Sequence, residues 1–277
     1  MSSVKQLAVR GAVWTIASYG LSQVLRLGTN PILTRLLVPE MFGLMSLVYV
    51  FITAVHLFSD LGIGTSVIQN KRGEEPDFLN TAWTLQVCRG VILWFCTLLL
   101  AWAIAQLYQQ PQFLWLIPVV GLGTAISGFN STSVFTLNRN MAFGKLAIFE
   151  LSGQSIGIVV MIVWAWLSPT IWAILMGSFA SQILQLVWSH YWNCGSPNRF
   201  ILNQEVVREI LSFGKWIFVS TALTFFAEQA DRLILGKLLT LDVLGVYGVA
   251  LTLADIPRSV TLARSWQGDV SGYYQVG

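Results

Sequence analysis

Apolar residues run in long blocks along this chain, and the polar residues that interrupt them are few and clustered. A bilayer-spanning helix takes about 20 mostly apolar residues. By that measure the pattern predicts eight transmembrane helices, over roughly 12–33, 42–68, 90–108, 114–137, 146–167, 171–192, 216–235 and 243–262. Short turn-like stretches part them, among them Val38-Pro39-Glu40, Gln109-Gln110-Pro111 and Ser168-Pro169-Thr170. The longest connector, 193–215, is polar with an amphipathic piece at Val206, Val207, Ile210 and Leu211. No loop is long enough for a soluble domain, so the expected fold is all-α and polytopic. Lys5 and Arg10 precede the first run as they would in a signal peptide. That run is too long for an h-region, contains Arg26 and lacks a small-residue cleavage site, so it reads as a retained helix.

Composition narrows the function classes. Only 10% of the 277 residues are charged and 55% are hydrophobic, with a mean hydropathy of +0.66. A soluble domain carries about a quarter charged residues. Disorder, a secreted disulfide scaffold and an ordinary cytosolic enzyme are therefore excluded. A net charge of +3 is too small and too scattered for a nucleic-acid binder. Cys88, Cys96 and Cys194 are odd in number and lie in or beside apolar runs, which predicts no disulfide framework. Charge also orients the helices. With the N-terminus in the cytoplasm, that side collects Lys5, Arg10, Lys71, Arg72, Arg89, Arg139, Lys145, Arg199, Arg208, Lys215, Arg258 and Arg264. The outer side receives Arg35 and Lys237, and Arg26 and Arg232 lie within helices. This is the positive-inside asymmetry, and it predicts a multi-pass protein of the cell inner membrane with a cytoplasmic N-terminus.

Self-comparison reveals a repeat. Residues 32–43 (Ile-Leu-Thr-Arg-Leu-Leu-Val-Pro-Glu-Met-Phe-Gly) match 234–245 (Ile-Leu-Gly-Lys-Leu-Leu-Thr-Leu-Asp-Val-Leu-Gly) at an offset of 202, with Arg35/Lys237 and Glu40/Asp242 agreeing in sign. Upstream, Gly11 aligns with Gly214 after a one-residue slip. The match joins predicted helices one and two to seven and eight, as a six-plus-six duplication in parallel orientation would. The expected organisation is a first six-helix lobe at 1–195, a cytoplasmic connector at 196–215, two helices of an incomplete second lobe at 216–264, and an aberrant polar tail at 265–277. A chain that ends two helices into a second lobe reads as a truncated or frameshifted product; a natural eight-helix protein is the alternative.

Several stretches carry a family likeness: Asn30-Pro31-Ile32-Leu33-Thr34-Arg35-Leu36-Leu37 with Glu40-Met41-Phe42-Gly43, Asp60-Leu61-Gly62-Ile63-Gly64 running to Ile68-Gln69, and Leu137-Asn138-Arg139-Asn140-Met141-Ala142-Phe143. Later come Asp231-Arg232-Leu233-Ile234-Leu235-Gly236 and Gly245-Val246-Tyr247. In their order and spacing, as far as about residue 257, these resemble the polysaccharide biosynthesis (PST) proteins. Those are the O-antigen-type flippases of the multidrug/oligosaccharidyl-lipid/polysaccharide exporter superfamily. The resemblance implies 12 to 14 helices in two lobes around an alternating-access cavity. It implies movement of undecaprenyl-diphosphate-linked sugars from the inner to the outer leaflet, with no catalysis and no cofactor. The implied partners are the lipid-linked oligosaccharide, membrane lipid and other polysaccharide-assembly membrane proteins. Two other readings stay open: a multidrug or cation antiporter of the same superfamily, with a cavity of acidic and aromatic groups, and an integral-membrane polyprenyl-sugar transferase.

Flipping breaks no bond; its barrier is carrying a diphosphate and a hydrated glycan through hydrocarbon. Ionisable residues within spans are expensive and are the first candidates for that work. Helix one carries Thr15, Ser18, Ser22, Arg26 and Thr29 at steps of three and four on one face, flanked by Gln23 and Asn30. Arg26 lies too deep for easy snorkelling, and a guanidinium suits a phosphate. Helix seven carries Ser220, Thr221, Thr224, Glu228, Asp231 and Arg232; Glu228 and Arg232 can pair, and Glu228 stands 202 residues after Arg26. Arg26, Gln23, Asn30, Glu228, Asp231 and Arg232 are thus the expected cavity groups, against the plainer reading of ion pairs that hold helices together. His56 and Asp60, four apart, and Asp255 are possible coupling groups, although Asp60 precedes Gly62 and Gly64 and fits a helix break better. Arg89 is expected to snorkel at the interface. Glu150 with Gln154 is a weaker candidate. The helix-six stripe Ser178, Ser181, Gln182, Gln185 and Ser189 reads as a sugar path or as helix glue, and Gly153 and Gly157 as packing. No metal-ligand cluster or nucleotide loop is present in the sequence, and Glu74, Glu75 and Asp77 read as a solvated connector.

Overall fold

A computed structural model describes residues 2–59, 62–191, 198–252 and 254. Every regular element among them is helical: α1 (Ser2–Leu36), α2 (Pro39–Phe58), α3 (Ile63–Gln69), α4 (Pro76–Tyr108), α5 (Phe113–Gly128), α6 (Ser133–Arg139), α7 (Phe143–Leu167), α8 (Trp172–Tyr191) and α9 (Gln204–Leu238), followed by the apolar α10 (Leu241–Thr252). The protein is an all-helical polytopic membrane protein. Helices α2, α4 and α7 are long and apolar enough to cross a bilayer, and α5 with α6 makes a further, bent span. Helices α1, α8 and α9 have the length but carry polar and charged groups, including Arg26, Gln182, Gln185 and Asp231. Large apolar residues lie on the outside: Leu99 is 79% exposed and Trp166 75% exposed. Such surface belongs in lipid rather than water.

Local sequence sets most of the helix ends. Helices α2 and α4 each begin on a proline, Pro39 and Pro76, whose missing N–H is no loss at the first helical position. Helix α4 starts 14 residues before the expected 90, and it stops at Gln109, which turns left-handed (φ 54°) just before Pro111. The expected break after Asp60 is present: α2 ends at Phe58, and α3 begins after Gly62, whose φ of 63° suits glycine. The expected single span over 114–137 is instead broken between α5 and α6, with a bend of 64°.

That break has a tertiary cause. Carbonyls freed at a helix end inside a membrane must find donors. Gln86 Nε2, reaching over from α4, donates to the carbonyls of Ser127, Gly128 and Asn130 at 3.3, 3.1 and 3.1 Å. Trp83 Nε1 takes the Phe129 carbonyl at 3.3 Å. Two arginines do the same elsewhere. Arg89 Nη2 donates to the His56 carbonyl at the end of α2 (2.8 Å), and Arg139 Nη1 donates to the carbonyls of Val67, Ile68 and Asn70 at the end of α3. Replacing Arg139 by alanine strips the part-buried Val67 and Ile68 carbonyls of this donor, while the Asn70 carbonyl keeps the Gly73 N–H; a buried acceptor left unmet costs about 1–3 kcal/mol. The expected result is a clear drop in melting temperature in detergent, recovered only in part by Arg139→Lys; an unchanged transition would count against this capping role.

Polar side chains also hold the segment before α9. The backbone N–H groups of Arg199, Ile201 and Asn203 donate to Asn80 Oδ1, Thr84 Oγ1 and Thr81 Oγ1 at 2.8, 3.2 and 3.2 Å. Their every-other-residue spacing is that of extended chain. From there α9 runs unbroken through 215 and 216. Its first turns bury Val206 and Ile210 against Ile63, Val67, Phe78 and Ala82. Outside the helices, Arg72 is bonded to Glu75 (2.9 Å), which holds its guanidinium above the ordinary arginine range.

The repeat is visible in the helices. Helices α1 and α9 have 35 residues each, and both their ends differ by the same offset of 202, as do the starts of α2 and α10. The two copies meet through their glycines. A methyl group on Gly43 would overlap the Leu241 carbonyl oxygen and lie 3.2 Å from the Gly245 nitrogen. One on Gly245 would overlap the Pro39 carbonyl oxygen and lie 3.0 Å from the Gly43 nitrogen. Pro39 and Leu241 are themselves repeat partners, so the contact is reciprocal, as about a local two-fold axis. Gly153 packs on Gln185 and Gly157 on Gly177 between α7 and α8, which bears out their packing role.

Candidate functional site

Helix α1 lies along α7, where Gln154 Nε2 donates to the Ser22 carbonyl at 3.2 Å. Most of its expected polar stripe is turned back on its own backbone. Thr15, Ser18 and Thr29 donate to the carbonyls of Gly11, Thr15 and Leu25. Gln23 and Asn30 are half-buried, and Gln23 Nε2 reaches Tyr19 Oη at 2.5 Å. Arg26 is exposed and, among the described residues, has no hydrogen-bond or ion-pair partner.

Helix α9 places two of its three expected groups. Asp231 Oδ2 accepts a 2.8 Å hydrogen bond from Tyr247 of α10, while Asp231 Oδ1 and Arg232 Nε are buried without a partner among the described residues. Because α9 packs on α2 and α4 rather than beside Arg26, no described bond or ion pair joins Arg26 to Asp231 or Arg232. The side chain of Glu228, and Asp60 and Asp255 altogether, lie outside the described residues.

A second polar region lies among α2 to α7. A cavity of about 370 Å³ is walled by α2 to α7, and its polar lining includes His56, Thr65, Gln86, Arg89, Asn130 and Ser131. The expectation that Arg89 snorkels is corrected here: its guanidinium turns inward, to the His56 carbonyl and to Ser59 Oγ (3.2 Å), and forms part of the wall. There it joins the Ser59 N–H and Oγ, which also donate to the His56 carbonyl at 3.3 and 3.0 Å. Gln86 and Asn130 went unnoticed in the sequence. Trp83, Gln86 and Arg89, three apart, mark a polar face of α4 that is legible only when the helix is begun before residue 90.

Residues 32–263 match the model of a family described as polysaccharide biosynthesis protein. The chain is 24% identical over 254 residues to the succinoglycan biosynthesis transport protein ExoT of Rhizobium meliloti (strain 1021), covering 92% of this chain and 51% of that protein. It is 23% identical over 256 residues to the lipopolysaccharide biosynthesis protein WzxC of Escherichia coli (strain K12), covering 92% and 52%. It is 22% identical over 262 residues to the teichuronic acid biosynthesis protein TuaB of Bacillus subtilis (strain 168), covering 93% and 53%. The chain therefore spans about half the length of the curated relatives it matches. No solved structure matches it.

Proposed function

Because the chain belongs to the polysaccharide biosynthesis protein family, we propose that it serves a flippase that moves polyprenyl-diphosphate-linked oligosaccharide across the inner membrane, with its N-terminus in the cytoplasm. The relatives named above serve three chemically different polymers. One fold serving all three is best used on the part their precursors share, and in this reading that part is the carrier diphosphate. Arg26 is the observation that carries the reading. A guanidinium in a spanning helix is expensive to keep, and here it is exposed, with no hydrogen-bond or ion-pair partner among the described residues. A diphosphate offers the bidentate acceptors such a group fits best. Gln23 and Asn30 flank it at helical spacing and suit sugar hydroxyls. Asp231 and Arg232 present opposite charges from the second repeat, and His56 is the described group best suited to proton coupling.

The test is disruption of the gene in its host. The expected result is loss of surface polysaccharide with complete lipid-linked oligosaccharide accumulating on the cytoplasmic leaflet. Accumulation of a precursor lacking one sugar would point to a transferase instead and overturn the reading.

A further inference from the structure

Glu150 of α7 is left unused by that reading. It is exposed, stands within an apolar spanning helix and, among the described residues, has no hydrogen-bond or ion-pair partner. An ionisable group kept at such a place is expensive and is a candidate for function. Its position follows from how α7 packs on its neighbours. Gly11 of α1 lies against the Phe143 ring, Gly144 against the Trp14 indole, and the Ser22 carbonyl takes the Gln154 Nε2 proton. The two helices therefore run parallel, each residue of α1 level with the one about 132 further along in α7.

At 3.6 residues per turn, four residues make one turn and about 40° more. Arg26 stands four after Ser22, and Glu150 four before Gln154, so the two rotate away from the seam in opposite senses. On parallel helices that face each other, opposite senses lead to the same side. Gly153 and Gly157, which pack on α8, fall on that side of α7 as well. Helices α1, α7 and α8 thus form a groove with α7 as its floor, and both Arg26 and Glu150 border it. Arg26 is level with Ile158, eight residues beyond Glu150, or about 12 Å along the axis.

A guanidinium only donates hydrogen bonds, and a carboxylate only accepts them. The groove therefore offers donors at one level and acceptors about 12 Å away. A divalent metal ion takes about six oxygens or more, and no group of three or more His, Cys, Asp or Glu stands together among the described residues. A second phosphate would be repelled by the carboxylate. A molecule with an anionic end and a hydroxyl-bearing end matches both levels, because hydroxyls give a carboxylate short, charge-assisted hydrogen bonds. In the proposed orientation Glu150 lies on the cytoplasmic side of Arg26, the side from which the glycan comes.

We propose that Glu150 reads the sugar, accepting hydrogen bonds from hydroxyls of the oligosaccharide whose diphosphate Arg26 holds. This rests on the flippase reading, and the test separates the two. The probes are undecaprenyl diphosphate and the oligosaccharide-linked undecaprenyl diphosphate extracted from the host's membranes, each titrated onto the purified full chain by native mass spectrometry. The parent should bind the linked lipid tenfold or more tighter than the bare one. Glu150→Ala should remove that preference without weakening the bare lipid or lowering the melting temperature. Glu150→Gln, which keeps one acceptor oxygen and the side-chain shape, should retain part of it. Arg26→Ala should weaken both lipids and keep the preference between them. If Arg26→Ala weakens neither, the diphosphate reading fails while the sugar contact stands. No preference in the parent, a preference that survives Glu150→Ala, or a Glu150→Ala protein that loses both lipids equally would overturn the proposal.

Discussion

Replacing Gly43 or Gly245 by alanine is expected to destabilise the protein strongly, and by similar amounts. At either position the first side-chain carbon collides with a backbone carbonyl of the other repeat, Leu241 for Gly43 and Pro39 for Gly245. A carbonyl within a helix start cannot rotate aside as a side chain can, so α2 and α10 must move apart. Their separation would loosen Leu44 and Leu244, which are 2% and 0% exposed. Overpacking of this kind costs about 1–3 kcal/mol. At about 2–4 °C of melting temperature per kcal/mol in a chain of this size, the loss is readable by thermal unfolding in detergent. Gly20 and Gly28 provide the control. A methyl group on either meets nothing within 4 Å, and alanine favours a helix interior over glycine by about 0.5–1 kcal/mol. Those two substitutions should be neutral or stabilising. A Gly43→Ala protein as stable as Gly20→Ala would remove the reciprocal contact from this account.

Arg26→Ala is expected to cut polysaccharide export by tenfold or more, with Arg26→Lys retaining part of it. In the proposed reading α1 also crosses the bilayer, and at 1.5 Å per residue the ten residues from Arg26 to Leu36 then cover about 15 Å, roughly half of a hydrocarbon core of about 30 Å. A cation at that depth, without a partner among the described residues, adds nothing visible to the packing, so its loss should leave melting unchanged while transport fails. Lysine restores the charge but not the planar pair of donors that grips two phosphate oxygens at once. Arg35, exposed on the last turn of the same helix, is the control, and Arg35→Ala should export normally. Unimpaired export by Arg26→Ala, at equal expression, would return Arg26 to a structural role.

What the sequence made legible follows from where the causes lie. Hydropathy located the helices because lipid imposes the same apolar requirement along each span. The offset of 202 proved structural because a repeat constrains helix length, and α1 and α9 match in it. The turn at Gly62 was readable because a left-handed residue is a local demand. The break between α5 and α6 was not readable, because it is stabilised by Gln86 and Trp83 from a different helix. The early start of α4 was hidden for the same reason. Its first turns are polar where Asn80, Thr81 and Thr84 receive the extended segment before α9. The direction of Arg89 was not readable, because Ser59 Oγ and the His56 carbonyl, about 30 residues away, are brought near only by the fold. Of the expected site residues, Arg26 is exposed and has no hydrogen-bond or ion-pair partner among the described residues, and its role is the proposal made above.

The central claim, that Arg26 reads the carrier diphosphate, is tested most directly by native mass spectrometry of the purified chain titrated with undecaprenyl diphosphate and, separately, with undecaprenol. The account predicts that the diphosphate binds the parent protein well above the alcohol, and that Arg26→Ala removes most of that difference while Arg35→Ala leaves it intact. Equal binding of diphosphate and alcohol by the parent, or a preference that survives Arg26→Ala, would contradict it.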